Sequence, residues 1–452
     1  MTLENVILDL SIAGLLLFIS QLLRARIRLF QKLFIPASMI AGFLGLFLGK
    51  QFLNILPFSD SIGSYSYLLV MIVFAAVGIE GVHFNKAEGE RLGSMFLYKT
   101  AVYFLQFGIP VIFTLLVINK ISPKTNPGFG ILLASGFVGG HGTAAAVGAT
   151  LEKLGFAGAV DIGMTFATVG ILSGVIGGLI FIKWATKKGY TQYIKDFSQI
   201  SDELRTGMLK AENQTSMGKS TVSSISIDPL CWHGTLLMIP TGLALLISTW
   251  CYDHLGVSFP EFTISFVLAL LFSFILEKCG MKEKYVDTQV TSHISGVCTD
   301  LVVFFGISSI KVSVIMEYAL PLLLMSLIGI VLVWLTVYYF GAHMNNACWF
   351  ERSMFVYGYS TGVFAIGMIL LRILDPEMKS ETLPDVALTE AIQTWIDLLA
   401  WSFGPYMLMG GQAWTFGIVC LILTFIWIPV ARKLGWWYTT PLDSRGKIGS
   451  GT

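Results

Sequence analysis

Long runs of apolar residues, separated by short polar stretches, dominate the chain. A helix that crosses a membrane needs about 20 mostly apolar residues, and about 11 segments approach that length. The pattern therefore predicts an all-α polytopic membrane protein. The predicted transmembrane helices cover residues 6–23, 33–49, 65–79, 95–118, 159–182, 230–250, 258–276, 290–310, 318–340, 391–410 and 413–430.

The polar stretches divide the chain into consecutive regions. One clearly hydrophilic linker lies in the middle, and each flanking half contains one glycine-bearing segment that we expect to be re-entrant or broken. The predicted regions are an N-terminal transmembrane half (1–185) with its segment 129–150, a cytoplasmic linker (186–229), a C-terminal transmembrane half (230–412) with its segment 353–374, and an extra span and tail (413–452).

Basic residues at the ends of the apolar runs predict the orientation, because Lys and Arg are enriched in cytoplasmic loops. Arg24 to Lys32 follow the first span, and Lys183 to Lys188 precede the linker. Both places are then cytoplasmic, and the N-terminus lies outside the plasma (inner) membrane. This assignment requires segment 129–150 to leave and return on one side, and it gives the second half the opposite topology. Inverted halves of this kind are common in secondary transporters.

Composition excludes several function classes. Charged residues make up 13% of the chain, whereas about 25% is usual in soluble domains. A net charge of +1 argues against a nucleic-acid partner. The six cysteines lack the spacing of a metal site or a disulfide framework. P-loop and HExxH motifs are missing, so we expect no enzyme.

One apolar segment is interrupted by three glycines, a histidine and a threonine. Glycine weakens a helix and lets backbone approach a ligand, and irregular backbone at membrane depth is tolerated where it lines a cavity or is buried in protein. We predict a substrate-binding bend, in which the histidine is either a substrate contact or a local brace. The predicted binding residues are Gly139, Gly140, His141, Gly142 and Thr143.

Close helix packing through small residues is the alternative explanation for glycine in a membrane helix. It suits Gly170, Gly174 and Gly178, which recur at every fourth position. It explains the Gly-Gly-His-Gly-Thr run poorly, because a histidine adds a polar group without helping two helices to approach.

The second glycine-bearing segment lies at the corresponding place in the C-terminal half. Residues 357–367 read Tyr-Gly-Tyr-Ser-Thr-Gly-Val-Phe-Ala-Ile-Gly. Paired glycine-interrupted segments at matching positions point to the binding site of a transporter. We therefore predict that Ser360, Thr361 and Gly362 complete the substrate site.

Acidic residues inside apolar runs are functional candidates, because a charge in a membrane is expensive to bury. Asp300 with its neighbour Thr299, and Asp397, offer oxygen ligands for a hard cation, and we predict that they bind Na⁺. Asp161 is equally well explained as an ordinary residue at a helix start. Glu80 ends a predicted span and is expected at the membrane interface.

The first glycine-rich segment and the residues after it resemble the glutamate:sodium symporter (ESS) family. Gly139 to Ala145 and Thr165 to Gly178 carry the resemblance, and weaker likeness extends to residues 259–262. Asp397 falls where the family has an aspartate in its last core span. Residues 357–367 depart from the family, whose second pore loop is richer in glycine and contains a histidine and a proline.

The resemblance implies an all-helical symporter of two inverted halves, which binds its substrate between two glycine-rich loops and works by alternating access. Na⁺ is the coupling ion, and the solute is glutamate or a related small anionic or zwitterionic molecule. A homodimer surrounded by membrane lipid, without nucleic acid, is expected. The residues leave two alternatives open: a channel or passive pore, and a membrane sensor that has kept the fold without transport.

Overall fold

Helices are the only regular secondary structure in the described part of the chain. No β-strand occurs among the described residues, which confirms the predicted all-α class. The computed structural model describes residues 3–32, 35–81, 89–193, 203, 206–255, 261–345, 347–362, 364–375 and 379–439. The longer helices are α1 (Leu3–Arg26), α2 (Ala37–Leu48), α3 (Ile62–Glu80), α4 (Gly89–Phe113), α5 (Phe129–Phe137), α6 (Gly140–Lys153), α7 (Ala159–Lys188), α8 (Pro229–Leu255), α9 (Glu261–Lys278), α10 (Thr288–Ser308), α11 (Ala319–Thr336), α12 (Trp349–Thr361), α13 (Phe364–Leu374), α14 (Thr382–Met409) and α15 (Ala413–Phe425). Shorter helical pieces are Arg28–Lys32, Thr114–Ile118, Asn119–Ile121, Ala211–Asn213, Lys282–Tyr285, Val312–Glu317, Val337–Gly341, Ala342–Met344 and Trp427–Lys433.

Eight helices in the described part are long and apolar enough to cross a membrane. They are α1, α3, α4 with its continuation to Ile121, α7, α8, α10, α11 with its continuation to Met344, and α15 with its continuation to Lys433. The other three predicted spans also form helices, namely α2, α9 and α14. Helix α2 has only 12 residues, fewer than a simple crossing needs. The protein is a multi-pass membrane protein, as its apolar pattern predicted.

The helices form two compact units that alternate along the chain. Unit 1 contains α1–α3 and α8–α10, and unit 2 contains α4–α7 and α11–α15. Each unit therefore combines helices from both predicted halves, and the division into consecutive halves stays a prediction. The bounds of unit 1 are Met1–Ile27, Pro36–Val82 and Thr206–Ile310; those of unit 2 are Arg28–Ile35, His83–Arg205 and Lys311–Thr452.

The order of the helices repeats once. In each half, three helices precede a long span that ends in a five-residue π-helix and a final short turn. A broken pair of helices (α5 and α6, or α12 and α13) and another long helix follow. Three landmarks of the first half recur in the second half after the same number of residues. The start of the π-helix (Thr114 and Val337), the end of the short turn (Ile121 and Met344) and the start of the next long helix (Ala159 and Thr382) are equally far apart in the sequence. A π-helix is rare, so its recurrence at one register supports an internal repeat.

Close contacts between small residues hold unit 1 together, where α3 packs on α9. A β-carbon at Gly78 would lie 2.6 Å from the carbonyl oxygen of Phe266 and 2.7 Å from the Cβ of Ala269. Beside it, the Ser273 hydroxyl donates to the carbonyl oxygen of Ile79 at 2.8 Å. Helices in lipid associate through such close approaches and hydrogen bonds, since lipid gives them no hydrophobic drive.

We expect Gly78→Leu to destabilise unit 1, because its side chain would collide with the backbone of α9. Overpacking of this kind costs about 1–3 kcal/mol. The loss of a monodisperse chromatographic peak after heating the detergent-solubilised protein measures it. Gly242→Leu is the matched control, because Gly242 is exposed on α8 and no neighbouring atom lies within 4 Å of its β-carbon position. Equal melting of the two variants would contradict this packing.

Candidate functional site

The first glycine-rich run breaks its apolar segment into two helices. Helix α5 ends at Phe137, a turn at Val138 and Gly139 follows, and α6 begins at Gly140. Gly140 has a φ of +65°, which residues with a β-carbon rarely adopt. A β-carbon at Gly139 would lie 2.3 Å from the Cβ of Thr143. Both positions therefore require glycine, and segment 129–150 is a helix–turn–helix.

His141 lies in the first turn of α6 and is only 2% exposed. Its Nε2 is 3.1 Å from the Oγ1 of Thr168 on α7. That hydroxyl already donates to the carbonyl of Met164, so it accepts the hydrogen bond and Nε2 carries the proton. The other ring nitrogen, Nδ1, is then an acceptor, and it has no partner among the described residues. The Nε2 of His141 thus holds α6 to α7, while its Nδ1 is an acceptor without a partner among the described residues.

The second broken segment is interrupted at Gly362, which follows α12 with φ −140° and ψ −68°. Val363 lies outside the described residues. Ser360 and Thr361 are buried in the last turn of α12, and the Thr361 hydroxyl donates to the carbonyl of Tyr357 at 2.8 Å. Two of the three predicted binding residues are therefore helical, and the break within 353–374 is narrow.

Helix α7 brings the two broken segments together inside unit 2. A β-carbon at Gly170 would lie 2.4 Å from the carbonyl oxygen of Thr361 and 3.0 Å from the ring of Phe137. Thr361 precedes the second break and Phe137 precedes the first. One turn further along α7, a β-carbon at Gly174 would lie 2.5 Å from the hydroxyl oxygen of Thr361. These glycines do serve close packing, and that packing places both breaks against one helix.

A row of polar side chains on α4 faces the second break, although α4 belongs to a candidate membrane span. Gln106 Nε2 donates to the carbonyl of Ser360 at 3.1 Å, while its Oε1 has no partner among the described residues. The Nζ of Lys99 lies 4.5 Å from the ring centroid of Tyr359. All members of this polar seam are buried: Lys99, Thr100, Tyr103 and Gln106.

The sequence carried one signal for the polar seam, which its interpretation missed. Positions 99, 103 and 106 fall on one face of an α-helix. A polar face inside an apolar span marks a protein-facing side of that helix. Which helix covers that face could not be inferred, because the partners Gln106 and Ser360 are 254 residues apart.

Asp397 joins the polar seam from α14. Gln393 donates to the Asp397 carboxylate at 2.8 Å and accepts a hydrogen bond from the Thr100 hydroxyl at 3.2 Å. The Tyr103 hydroxyl interacts electrostatically with the same carboxylate. The predicted cation ligand Asp397 therefore lies in unit 2, in one polar network with the second broken helix.

The other predicted cation ligands lie in unit 1. Asp300 and Thr299 are on α10, both exposed on that unit, and the Thr299 hydroxyl donates to the carbonyl of Ser295 at 2.8 Å. Asp161 is engaged structurally, since its carboxylate accepts the backbone N–H of Lys311 at 2.9 Å. No cluster of three metal-ligating His, Cys, Asp or Glu residues occurs within the described ranges. Na⁺ binding by Asp300, Thr299 and Asp397 stays a prediction.

Comparison with known proteins identifies the family. The model of the family described as sodium/glutamate symporter matches residues 3–346, whereas no curated protein matches the chain. The matched region contains the first broken helix, α7 and the polar seam, and it ends just before α12. Since it covers well over half of the chain, the predicted resemblance is confirmed. The chain belongs to the sodium/glutamate symporter family, for which Na⁺ is the coupling ion.

Proposed function

We propose that this protein is a secondary active transporter that carries glutamate, or a related small carboxylate, together with Na⁺ across the plasma (inner) membrane. One observation supports this most directly: two broken helices meet on α7 beside a buried polar seam. Buried polar groups and broken helices are expensive inside a membrane, and they occur where a solute or ion binds.

The substrate carboxylate binds at the start of α6. The first N–H groups of a helix have no partner within the helix, and the helix dipole adds positive charge there. Helix α6 begins without a side-chain cap, and Gly139, Gly140 and Gly142 leave its backbone uncovered. The unfilled Nδ1 acceptor of His141 suits the ammonium group of an amino acid, and Thr143 adds a hydroxyl to the same turn.

The second broken helix completes the substrate site on the same face of α7. Gly170 brings the carbonyl of Thr361 close to α7, and Gln106 holds the carbonyl of Ser360. Gly362 ends α12, and α13 begins at Phe364 with partial positive charge at its N-terminus, as α6 does. The two helix starts suit the two carboxylates of a dicarboxylic amino acid.

Na⁺ binds at Asp397. Hard cations prefer oxygen ligands, and the Asp397 carboxylate interacts with the Tyr103 hydroxyl of the polar seam. In the same seam, the Oε1 of Gln106 is buried with no hydrogen-bond partner among the described residues. Leaving such an atom unfilled is unfavourable by about 1–3 kcal/mol. Asp300 with Thr299 is a second Na⁺ candidate, on unit 1.

Transport proceeds by alternating access, with unit 2 as the moving core and unit 1 as the scaffold. Both broken helices and the polar seam belong to unit 2, so substrate and Na⁺ travel together when that unit moves. The repeated order of helices supports two inverted halves, which is the usual basis of such motion. We further propose a homodimer, with the N-terminus outside and the central linker in the cytoplasm.

We expect purified protein in proteoliposomes to accumulate labelled L-glutamate under an inward Na⁺ gradient. With K⁺ or choline replacing Na⁺, the uptake should fall at least about tenfold, because the ion gradient supplies the driving force. Parallel assays with L-aspartate and succinate define the solute. Equal uptake with and without Na⁺ would contradict symport, and flux that never saturates with solute would identify a passive pore. Lack of uptake of all three solutes would favour a sensor.

A further inference from the structure

A polar cavity of about 330 Å³ lies in unit 2 at the N-terminal end of α12. The break at Gly362 is one helix length away, about 20 Å at 1.5 Å per residue. The cavity shares no residue with the proposed transport site. Its lining includes Arg91, Ser94, Arg352, Lys379, Ser380 and Glu381.

The floor of this cavity is a buried ion-pair network. The side chains of Arg352 and Asp385 are 4% and 2% exposed, and the Nη1 of Arg352 donates to Asp385 at 2.5 Å. Arg352 also donates from Nε to Asn345 at 3.0 Å and from Nη2 to the carbonyl of Arg91 at 3.2 Å. Arg91 donates from Nε to the same Asp385 at 2.9 Å. A buried pair with its hydrogen bonds filled is a fixed part of the structure.

The mouth of the cavity is held much less firmly. Arg91 Nη1 pairs there with Glu381, whose side chain is 56% exposed. Glu381 has a φ of +52°, an unfavourable conformation for a residue with a side chain. Exposed ion pairs contribute little to stability. The Glu381 carboxylate therefore occupies the Arg91 guanidinium as a weakly held internal ligand.

The charge balance shows what would replace Glu381. The cations at the cavity are Arg91, Arg352 and Lys379, and the carboxylates are Glu90, Glu381 and Asp385. Glu90 accepts the hydroxyl of Tyr438 at 2.7 Å. Once Glu381 swings out, these residues carry one more positive than negative charge, and the Arg91 guanidinium is suited to a carboxylate in geometry as well as in charge.

The distribution of basic residues predicts that the cavity opens toward the cytoplasm. Tyr193 and Tyr438, which line it, follow shortly after two basic helix ends. Lys187 and Lys188 end α7, and Arg432 and Lys433 end the helix Trp427–Lys433. Clusters of Lys and Arg next to transmembrane helices stay on the cytoplasmic side.

We propose that this cavity is a second binding site, which takes a small carboxylate from the cytoplasm by displacing Glu381 from Arg91. Its ligand is a carboxylate solute, either the transported one or another of the same chemistry. Because Arg352 belongs to α12 and forms part of the cavity floor, a ligand in the cavity would act directly on the second broken helix.

Binding of L-glutamate to the purified full chain in Na⁺-free choline buffer tests this, by calorimetry. We expect Glu381→Gln to tighten binding about three- to fivefold, since an exposed competitor is removed. Arg91→Gln should weaken it at least about tenfold, since a charge-assisted contact is lost. Lys50→Gln, on an exposed ion pair in unit 1, is the control and should bind like wild type. Unchanged affinity in Glu381→Gln, which keeps the buried floor intact, would overturn the proposal.

A succinate arm identifies the source of the ligand. Equal affinity for succinate and glutamate supports a general carboxylate site, whereas binding of glutamate alone supports a site for the transported solute. Gly170→Leu separates the two proposals, because it alters the transport site and changes no residue that lines the cavity. Na⁺-free binding that is lost in this variant would place the ligand at the breaks and overturn the second site. If Gly170→Leu loses uptake but keeps Na⁺-free binding, the defect lies in the transport site, and the result supports a separate second site.

Discussion

Gly170→Leu is expected to lower Na⁺-driven glutamate uptake by a factor on the order of 100 or more. The added side chain would meet the carbonyl oxygen of Thr361, to which a β-carbon alone would come within 2.4 Å, and the ring of Phe137. Both broken helices would have to move away from α7. Displacing a positioned site by about 1 Å can reduce its rate about 100-fold. The measurement is the initial uptake rate per molecule of protein in the proteoliposomes.

A matched variant separates this effect from the general effect of replacing a glycine by leucine in a membrane helix. Gly14 lies exposed on α1, with no neighbouring atom within 4 Å of its β-carbon position. Gly14→Leu should therefore transport like wild type. Gly170→Ala should fall between the two, because its clash is limited to one carbon. Wild-type uptake by Gly170→Leu would show that α7 is not the common wall of the site.

The fold could be predicted because the membrane leaves the backbone few choices. Lipid offers no hydrogen bonds, so apolar segments must satisfy their own N–H and C=O groups as helices. The predicted span 159–182 lies within α7, and the span 391–410 is continued by α14 back to Thr382. Helix ends were harder to predict from the sequence, because polar residues in the first and last turns interrupt the apolar pattern.

Glycine content predicted the first break better than the second. The φ of +65° at Gly140 requires glycine, so the composition there reports the backbone. In the second segment, Gly358 is a packing residue, because a β-carbon there would lie 2.7 Å from the backbone nitrogen of Gly367. The residue type is the same in both cases. Only the neighbours distinguish a break from a close contact, and those come from distant parts of the chain.

Only part of the candidate site could be predicted from the sequence, for a similar reason. His141 and Asp397 stood out as polar residues in apolar surroundings, a property of the local sequence. Lys99 and Gln106 were overlooked because the hydropathy of a span is an average, which two polar residues hardly change. Their role depends on Ser360 and Tyr359 across the packed interior, and sequence spacing cannot supply that contact.

Asp397→Asn is expected to weaken Na⁺ binding and to remove most of the transport at the Na⁺ concentration that saturates the wild type. Asparagine has the shape of aspartate and keeps an oxygen for the hydrogen bond from Gln393, so the fold should survive. It lacks the negative charge that holds a cation. Interactions with a charged group contribute about 1.5–3 kcal/mol, so the Na⁺ concentration for half-maximal uptake should rise roughly 10- to 100-fold. Uptake measured against Na⁺ concentration at fixed glutamate gives this value.

Two further aspartates determine how such a result is interpreted. Asp60 is exposed in unit 1, where the hydrogen bond and charge of Lys50 lower its pKa and keep it ionised. Asp60→Asn therefore removes one negative charge outside any proposed site, and its Na⁺ dependence should equal that of wild type. Asp300→Asn tests the alternative ion position. A half-maximal Na⁺ concentration that is unchanged in Asp397→Asn but raised in Asp300→Asn would assign the coupling ion to α10, and the polar seam would then serve the substrate alone.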